Sequence, residues 1–346
     1  MLAMLCEDYR LGGELHYYFG DPAETMRVPE EILKCVVYLY SQDGDSDEER
    51  RAIGTAFFVS VRSKTMEGVH PYLVTAKHCV VGPMKRGRLF VRINTVEGSS
   101  AYVELKDGWI FPDEPSADVA VLPFALPPEI HERFDFRGIA EARFATPAKH
   151  AEHEIGIGDE VIISGLFTRL RSKPINHPIV RFGNIAAMPI EHLVDTKTAL
   201  DYRAILVEVR SIGGLSGSPV FVYLGPERVP PSKARRPDKR FLMLIGIVRA
   251  HWEHEEKGIA FKGSAFSDEL DKVNWGIAAI TPVSDLMSVL YGDELMARRK
   301  EADNEYRMRD GTTDDSISLD KDSTPFTQAD FEDALRKTSR KIPKDN

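Results

Sequence analysis

The sequence predicts an all-β protein built from antiparallel sheets. Two observations predict it. Runs of strand length, rich in Val, Phe and Tyr, recur between polar or glycine-bearing connections. They also fall into two sets on either side of a charged, proline-bearing stretch. Strands do not alternate with helix-length periodic segments, so a βαβ plan is disfavoured and a barrel or sandwich is expected.

The first set comprises Lys34 to Tyr40 (KCVVYLY), Gly54 to Val61 (GTAFFVSV), Pro71 to Ala76 (PYLVTA), Arg88 to Ile93 (RLFVRI) and Asp118 to Phe124 (DVAVLPF). Pro127 to His153 reads as the connection. The second set is Glu160 to Leu166, Pro178 to Met188, Arg203 to Val209, Ser218 to Leu224, Phe241 to Val248 and Gly276 to Val283. The basic, proline-rich insert Pro226 to Arg240 is expected as an exposed loop, and Val283 to Leu290 has helical spacing after Pro282. Residues 1–30 read as a lead segment. Residues 294–346 are charged and read as a flexible tail, with a short helix near 327–340. In that helix Thr327 is the cap, and Phe331, Ala334 and Leu335 share one face, as a docking or partner-recognition segment would need.

The chain has 346 residues and a net charge of −9, from 45 basic and 54 acidic side chains. That acidity makes it a poor candidate for non-specific binding to nucleic acid or anionic membranes. No window approaches the about 18 apolar residues of a membrane span. The first residues carry no basic lead or sustained apolar run, so a cytoplasmic setting with reduced thiols is expected. Three cysteines, Cys6, Cys35 and Cys79, are too few and scattered for a disulfide framework or zinc site. HAEHE (His150 to Glu154) and HWEHEE (His251 to Glu256) each carry histidines three apart, but no third ligand is evident, and exposed loops are the plainer expectation.

The segment RSIGGLSGSPVFV, Arg210 to Val222, places Ser216 among glycines. It is either a tight turn between strands or a bend that presents a nucleophile. A serine hydroxyl is a poor nucleophile near neutral pH and needs a base, which in turn needs an orienting partner. The negative charge built on a carbonyl oxygen needs N–H donors. His78 directly follows an apolar strand in LVTAKHCV. Asp118 opens the apolar run of SADVAVLPF, where an unpaired charge would be costly and a histidine donor would offset the cost. The glycines of GGLSG would let the N–H groups of Gly214 and Ser216 point the same way.

TAKHC, ADVAVL and GLSGSPV, in that order, resemble the three signature segments of chymotrypsin-like (trypsin-like) serine peptidases. GTAFFV before the histidine and LIGIV after the serine resemble that family's accompanying strands. The serine segment, with SGSP, is most similar to bacterial members, including glutamyl endopeptidases. The likeness covers roughly residues 33 to 290 as a single large domain. It implies two six-stranded antiparallel β-barrels, one at about 31–126 and one at about 154–293. It implies a triad in which Ser216 attacks, His78 is general base and acid, and Asp118 orients the imidazole, with Gly214 and Ser216 as oxyanion donors. It implies a protein or peptide substrate and neither cofactor nor metal. A substrate pocket with Arg210 at its base and Arg249 and His251 along its wall would favour an acidic side chain before the cleaved bond. In secreted members the cysteine after the histidine usually pairs with one in the preceding strand; here GTAFFV holds none. An inert peptide-binding module on the same scaffold, or an esterase using the same triad, are the alternatives.

Overall fold

A computed structural model describes residues 28–310, apart from 45, 47–49, 64–67, 127, 167–173, 195–200, 210–214, 226–240 and 256–271. The expected lead segment, the basic insert and the helix near 327–340 therefore fall largely or wholly outside the described residues. The first half contains α1 (Glu30–Lys34), β1 (Val36–Gln42), β2 (Arg51–Arg62), β3 (Val69–Thr75), α2 (His78–Arg86), β4 (Arg88–Asn94), β5 (Ser100–Leu105) and β6 (Ala120–Pro123). The connection carries α3 (Pro128–His131), β7 (Ile139–Ala140) and α4 (Pro147–Glu152). The second half holds β8 (Glu160–Gly165), β9 (Ile179–Val194), β10 (Asp201–Glu208), β11 (Pro219–Leu224), β12 (Phe241–Glu255), β13 (Lys272–Pro282), α5 (Val283–Leu290) and α6 (Asp293–Asp310).

The protein is mostly β-sheet, in two units that differ in closure. The second unit is a closed six-stranded barrel in the order β10-β13-β12-β11-β8-β9. The first is a seven-stranded sheet in the order β5-β4-β1-β2-β3-β6, with the short β7 lying parallel against β2. Its end strands do not pair with each other, so the expectation of two six-stranded barrels holds for one unit only. The reason is local. β6 is four residues long and ends in a proline, which has no N–H for a ladder. Ile110, in the loop after β5, makes an isolated bridge to Val121 of β6, exchanging backbone bonds at 2.8 and 2.9 Å.

Three apolar layers explain why several strands show no polar alternation. On β1, Val37 and Leu39 point into the core of the first sheet, whereas Val36, Tyr38 and Tyr40 point into a layer shared with the second unit. On β2, Ala56 and Phe58 take the first direction and Phe57, Val59 and Val61 the second. On β11, Val220, Val222 and Leu224 fill the barrel while Phe221 enters the shared layer. The period-two alternation of a strand thus delivers apolar groups to both faces. The shared layer presses the two units together.

The connection is structured and pinned to the barrel. Thr146 caps α4 by accepting the N–H of Lys149 at 3.3 Å, and Ala145 N donates to Leu244 O of β12 at 2.9 Å. Residues 294–310, expected as the start of a flexible tail, form most of α6. That helix docks mainly by polar contacts. Asp303 is buried, accepts the Ser63 hydroxyl at 2.9 Å and lies 2.9 Å from His70 Nε2. Arg299 donates to the Tyr72 hydroxyl at 2.9 Å. No described helix is long and apolar enough to cross a membrane.

Candidate active site

His78 is the first residue of α2, immediately after the turn that ends β3. Its backbone N–H donates to Asp118 Oδ1 at 3.0 Å, and its Nδ1 lies 2.7 Å from Asp118 Oδ2. Both carboxylate oxygens are therefore engaged by one histidine. The open N–H groups at a helix start favour a negative charge there. Asp118 is buried just before β6, a place where an unpaired carboxylate would be costly. Burial alone would push its carboxyl up, but the His78 hydrogen bonds and charge outweigh this and hold it below its ordinary value, with Arg249 adding in the same direction. On the imidazole, burial opposes protonation; the bond to Asp118, helped by contact with Cys79, overrides it and raises the pKa above the ordinary 6.5. With Nδ1–H committed to the carboxylate, neutral His78 presents a lone pair at Nε2.

Ser216 sits at the corner of a turn in which Ser218 N donates to Leu215 O at 2.9 Å. Gly217 follows it with φ 82°, the positive value that turns of this kind need and that glycine supplies without strain. Of the two sequence alternatives, the tight turn is the one this geometry shows directly. The turn is held from both units. Ser216 O accepts Thr55 N of β2 at 2.9 Å, and Gly217 N donates to Val248 O of β12 at 2.8 Å. Thr55 ties the seam further through its hydroxyl, which accepts Leu166 N at 2.9 Å, while its carbonyl accepts the Thr75 hydroxyl of its own sheet at 2.7 Å.

Gly217 packs so closely that a Cβ there would lie 2.1 Å from Thr55 O, 2.3 Å from Thr75 Oγ1 and 3.2 Å from Ala76 N. Ala76 is two residues before His78, so this contact brings the serine turn beside the histidine turn. Gly217→Ala is expected to destabilise the fold by on the order of 2 kcal/mol or more, through both the positive φ and the clash. Urea denaturation of both forms measures it, and a midpoint equal to the wild type would contradict the packing.

The structure therefore brings together residues from all three sequence segments. His78 and Asp118 form a bonded pair, and the Ser216 turn abuts the strand and loop that carry His78. Ser216 Oγ and His78 Nε2 are not hydrogen-bonded to each other in this conformation. Nε2 instead lies 3.5 Å from Cys79 Sγ. Cys35 and Cys79 are both free thiols, and Gly54 of GTAFFV faces Cys79, where a Cβ would stand 2.9 Å from its sulfur. Gly214 and Arg210 lie outside the described residues. His251 is on β12, paired with Ala278, and its side chain is not described. Arg249 is described. Its Nη1 donates to Ser116 O at 2.6 Å and its guanidinium lies 4.1 Å from the Tyr202 ring centre. Sequence reasoning did not single out Thr55, Gly217 or the contact of Cys79 with Nε2. The HAEHE histidines prove to lie on and just after α4, with His150 inside it and His153 at its end. Among the described residues no group of three or more ligating side chains is placed to hold a metal ion.

No protein-family model and no curated protein sequence matches the chain. Solved structures with a similar arrangement include the MamO protease domain from Magnetospirillum magneticum in its apo form. It shows 14% identity and a TM-score of 0.44 over 75% of this chain and 96% of that one. Deg5 shows 15% identity and a TM-score of 0.42 over 76% and 92%. The Rv3671c protease from M. tuberculosis, in its active form, shows 16% identity and a TM-score of 0.39 over 75% and 80%.

Proposed function

We propose that the chain is a serine hydrolase that cleaves peptide bonds through an acyl-enzyme on Ser216. The observation that carries this is the 2.7 Å bond between His78 Nδ1 and Asp118 Oδ2, formed beside a turn that presents Ser216. In the proposed reaction Ser216 Oγ attacks the carbonyl carbon while His78 Nε2 takes its proton. The tetrahedral oxyanion is met by the N–H groups of Gly214 and Ser216. Collapse breaks the C–N bond as Nε2 returns the proton to the leaving amine. Water, deprotonated by the same nitrogen, adds to the acyl carbon; the bond to Ser216 Oγ then breaks, Nε2 returns the proton to that oxygen, and the acid leaves. Rotation of the Ser216 hydroxyl toward Nε2, in place of the present Cys79 Sγ contact with that nitrogen, completes the proton path. Catalytic hydrogen bonds are often formed only once substrate is bound.

The preference for an acidic residue before the cleaved bond rests on Arg210 and His251, because Arg249 is engaged with Ser116 and Tyr202. One observation favours a second reading. The Cys79 thiol against Nε2, with no Ser216–His78 hydrogen bond, suits an inert peptide-binding scaffold.

A fluorophosphonate probe separates the two. Labelling of the wild type that disappears in Ser216→Ala is expected. A wild-type chain that never labels, yet retains peptides in a binding assay, favours the inert scaffold. Digestion of a peptide library then separates peptidase from esterase.

A further inference from the structure

The nucleophile turn and the His78–Asp118 pair belong to different units, so something must keep the two in register. Arg249 lies where this can be done. The residue before it, Val248, accepts Gly217 N at 2.8 Å and donates to Ser218 O at 2.9 Å, holding the serine turn by backbone. Arg249 itself interrupts the β12–β13 ladder. Val248 pairs with Ile280 and Ala250 with Ala279, so two steps along β12 match one on β13. Such a bulge re-aims a side chain out of the regular alternation.

Here the re-aimed guanidinium leaves the barrel and reaches the loop of the other unit. Nη1 donates to Ser116 O, two residues before Asp118, at 2.6 Å. The plane is supported on the barrel side by Tyr202 of β10, a buried ring whose centre is 4.1 Å away. A planar cation over an aromatic face is held more firmly than a flexible ammonium would be. Further supports of the loop lie within its own unit. The N–H and hydroxyl of Ser116 both donate to Glu114 Oε1, at 3.1 and 2.7 Å, and Lys77 Nζ reaches Pro115 O at 3.4 Å. Arg249 thus ties this loop to the barrel.

We propose that Arg249 is a positioning residue: it locks the loop bearing Asp118 onto the strand that holds the Ser216 turn, so that the imidazole pair and the nucleophile keep one geometry. This rests on the serine-hydrolase reading and assigns Arg249 a place in that site other than substrate charge recognition.

The test uses the full chain in two arms. The first follows the His78 imidazole by nuclear magnetic resonance in a Ser216→Ala background, which needs no turnover. Loosening the loop weakens the Nδ1–H to carboxylate bond, so Arg249→Met is expected to lower the His78 pKa toward 6.5 and speed exchange of the Nδ1 proton. Loss of a nearby cation alone would raise that pKa, so a rise, or no change, overturns the proposal. The second arm measures kinetics on a neutral peptide ester with Ser216 intact. Arg249→Met is expected to lower kcat roughly ten- to a hundredfold with KM little changed, and Arg249→Lys to recover part of it. A change confined to KM for acidic substrates overturns the proposal in favour of substrate contact. Should Arg249→Met fail to fold, Tyr202→Leu, which removes the supporting ring, is expected to shift the His78 titration in the same downward direction. An unchanged titration in that variant counts against the proposal. Wild-type chain without turnover refutes the hydrolase reading, and the resonance arm still decides whether Arg249 positions the pair.

Discussion

Ser216→Ala is expected to reduce kcat on a small peptide or ester substrate by on the order of 10⁴-fold or more, with KM nearly unchanged. The hydroxyl is the only group lost. The backbone bonds that shape the turn, from Thr55 N to Ser216 O and from Gly217 N to Val248 O, do not involve it. The His78–Asp118 pair likewise stays bonded without it. The variant should therefore melt close to the wild type and still bind substrate, while no longer forming the acyl-enzyme. Residual rate would reflect binding and carbonyl polarisation alone. If Ser216 and His78 act as the unit proposed, adding His78→Ala should cost little more. Pre-steady-state kinetics with an activated ester provide the check. A burst retained in Ser216→Ala, or a rate within tenfold of wild type, would remove Ser216 from the chemistry.

Much of the fold was legible because strands buried on both faces spell themselves out as apolar runs. β1, β2, β3, β4, β8 and β11 fall where KCVVYLY, GTAFFVSV, PYLVTA, RLFVRI, EVIISGL and SPVFVYL placed strands. What escaped was structure whose stability comes from elsewhere. β5 reads SAYVEL, and only Val103 and Leu105 on it are fully buried. α6 has a strongly polar sequence and binds through Asp303 and Arg299 rather than through an apolar stripe. The extensions of β9, β12 and β13 into polar sequence depend on pairing with each other or with β10, which no local pattern displays. The open first sheet turns on how short β6 is, and DVAVLPF alone suggested a full strand.

The site divides in the same way. His78, Asp118 and Ser216 could be singled out as candidates because the first two are costly polar residues beside apolar strands and the third stands among glycines. The pairing of His78 with Asp118 has its 2.7 Å geometry in the structure. The supports were not readable. Thr55 resembles any β-branched strand residue, yet its N–H and its hydroxyl both bond across the seam. Gly217 looked like general loop freedom, whereas its lack of a Cβ is what admits Thr55 O and Thr75 Oγ1. Arg249 read as a charge along a pocket wall; a bulge in β12, invisible in sequence, turns it to Ser116 instead.

Asp118→Asn has the second large expected effect, and its cause is the direction of one proton. Asp118 accepts two hydrogen bonds from His78, from the backbone N–H and from Nδ1. An asparagine has one oxygen and one amide nitrogen to offer. The backbone N–H can only donate, so the oxygen stays with it and the NH₂ faces Nδ1. Nδ1 must then accept, the ring proton moves to Nε2, and the lone pair that would receive the Ser216 proton is gone. A fall in kcat of about 10⁴-fold is expected, with the fold retained. The pH dependence gives an independent check. In the proposed reaction the neutral imidazole is the base, so activity should rise as pH passes upward through the His78 pKa, which in the wild type stands above 6.5. Without the carboxylate, burial is left as the main influence and acts downward, so the residual activity of Asp118→Asn should rise at lower pH than that of the wild type. Stability follows the same pair with the opposite limits. The raised His78 pKa contributes stability that is present below 6.5 and lost as pH climbs through the folded value. The lowered Asp118 pKa contributes stability present above 3.8 and lost as pH falls through its folded value. The melting-temperature gap between wild type and Asp118→Asn should therefore be widest between those limits, near pH 5, and narrow on both sides. A gap that is flat across pH 3 to 10, together with an unmoved activity limb, would mean that the carboxylate does not set the state of the imidazole.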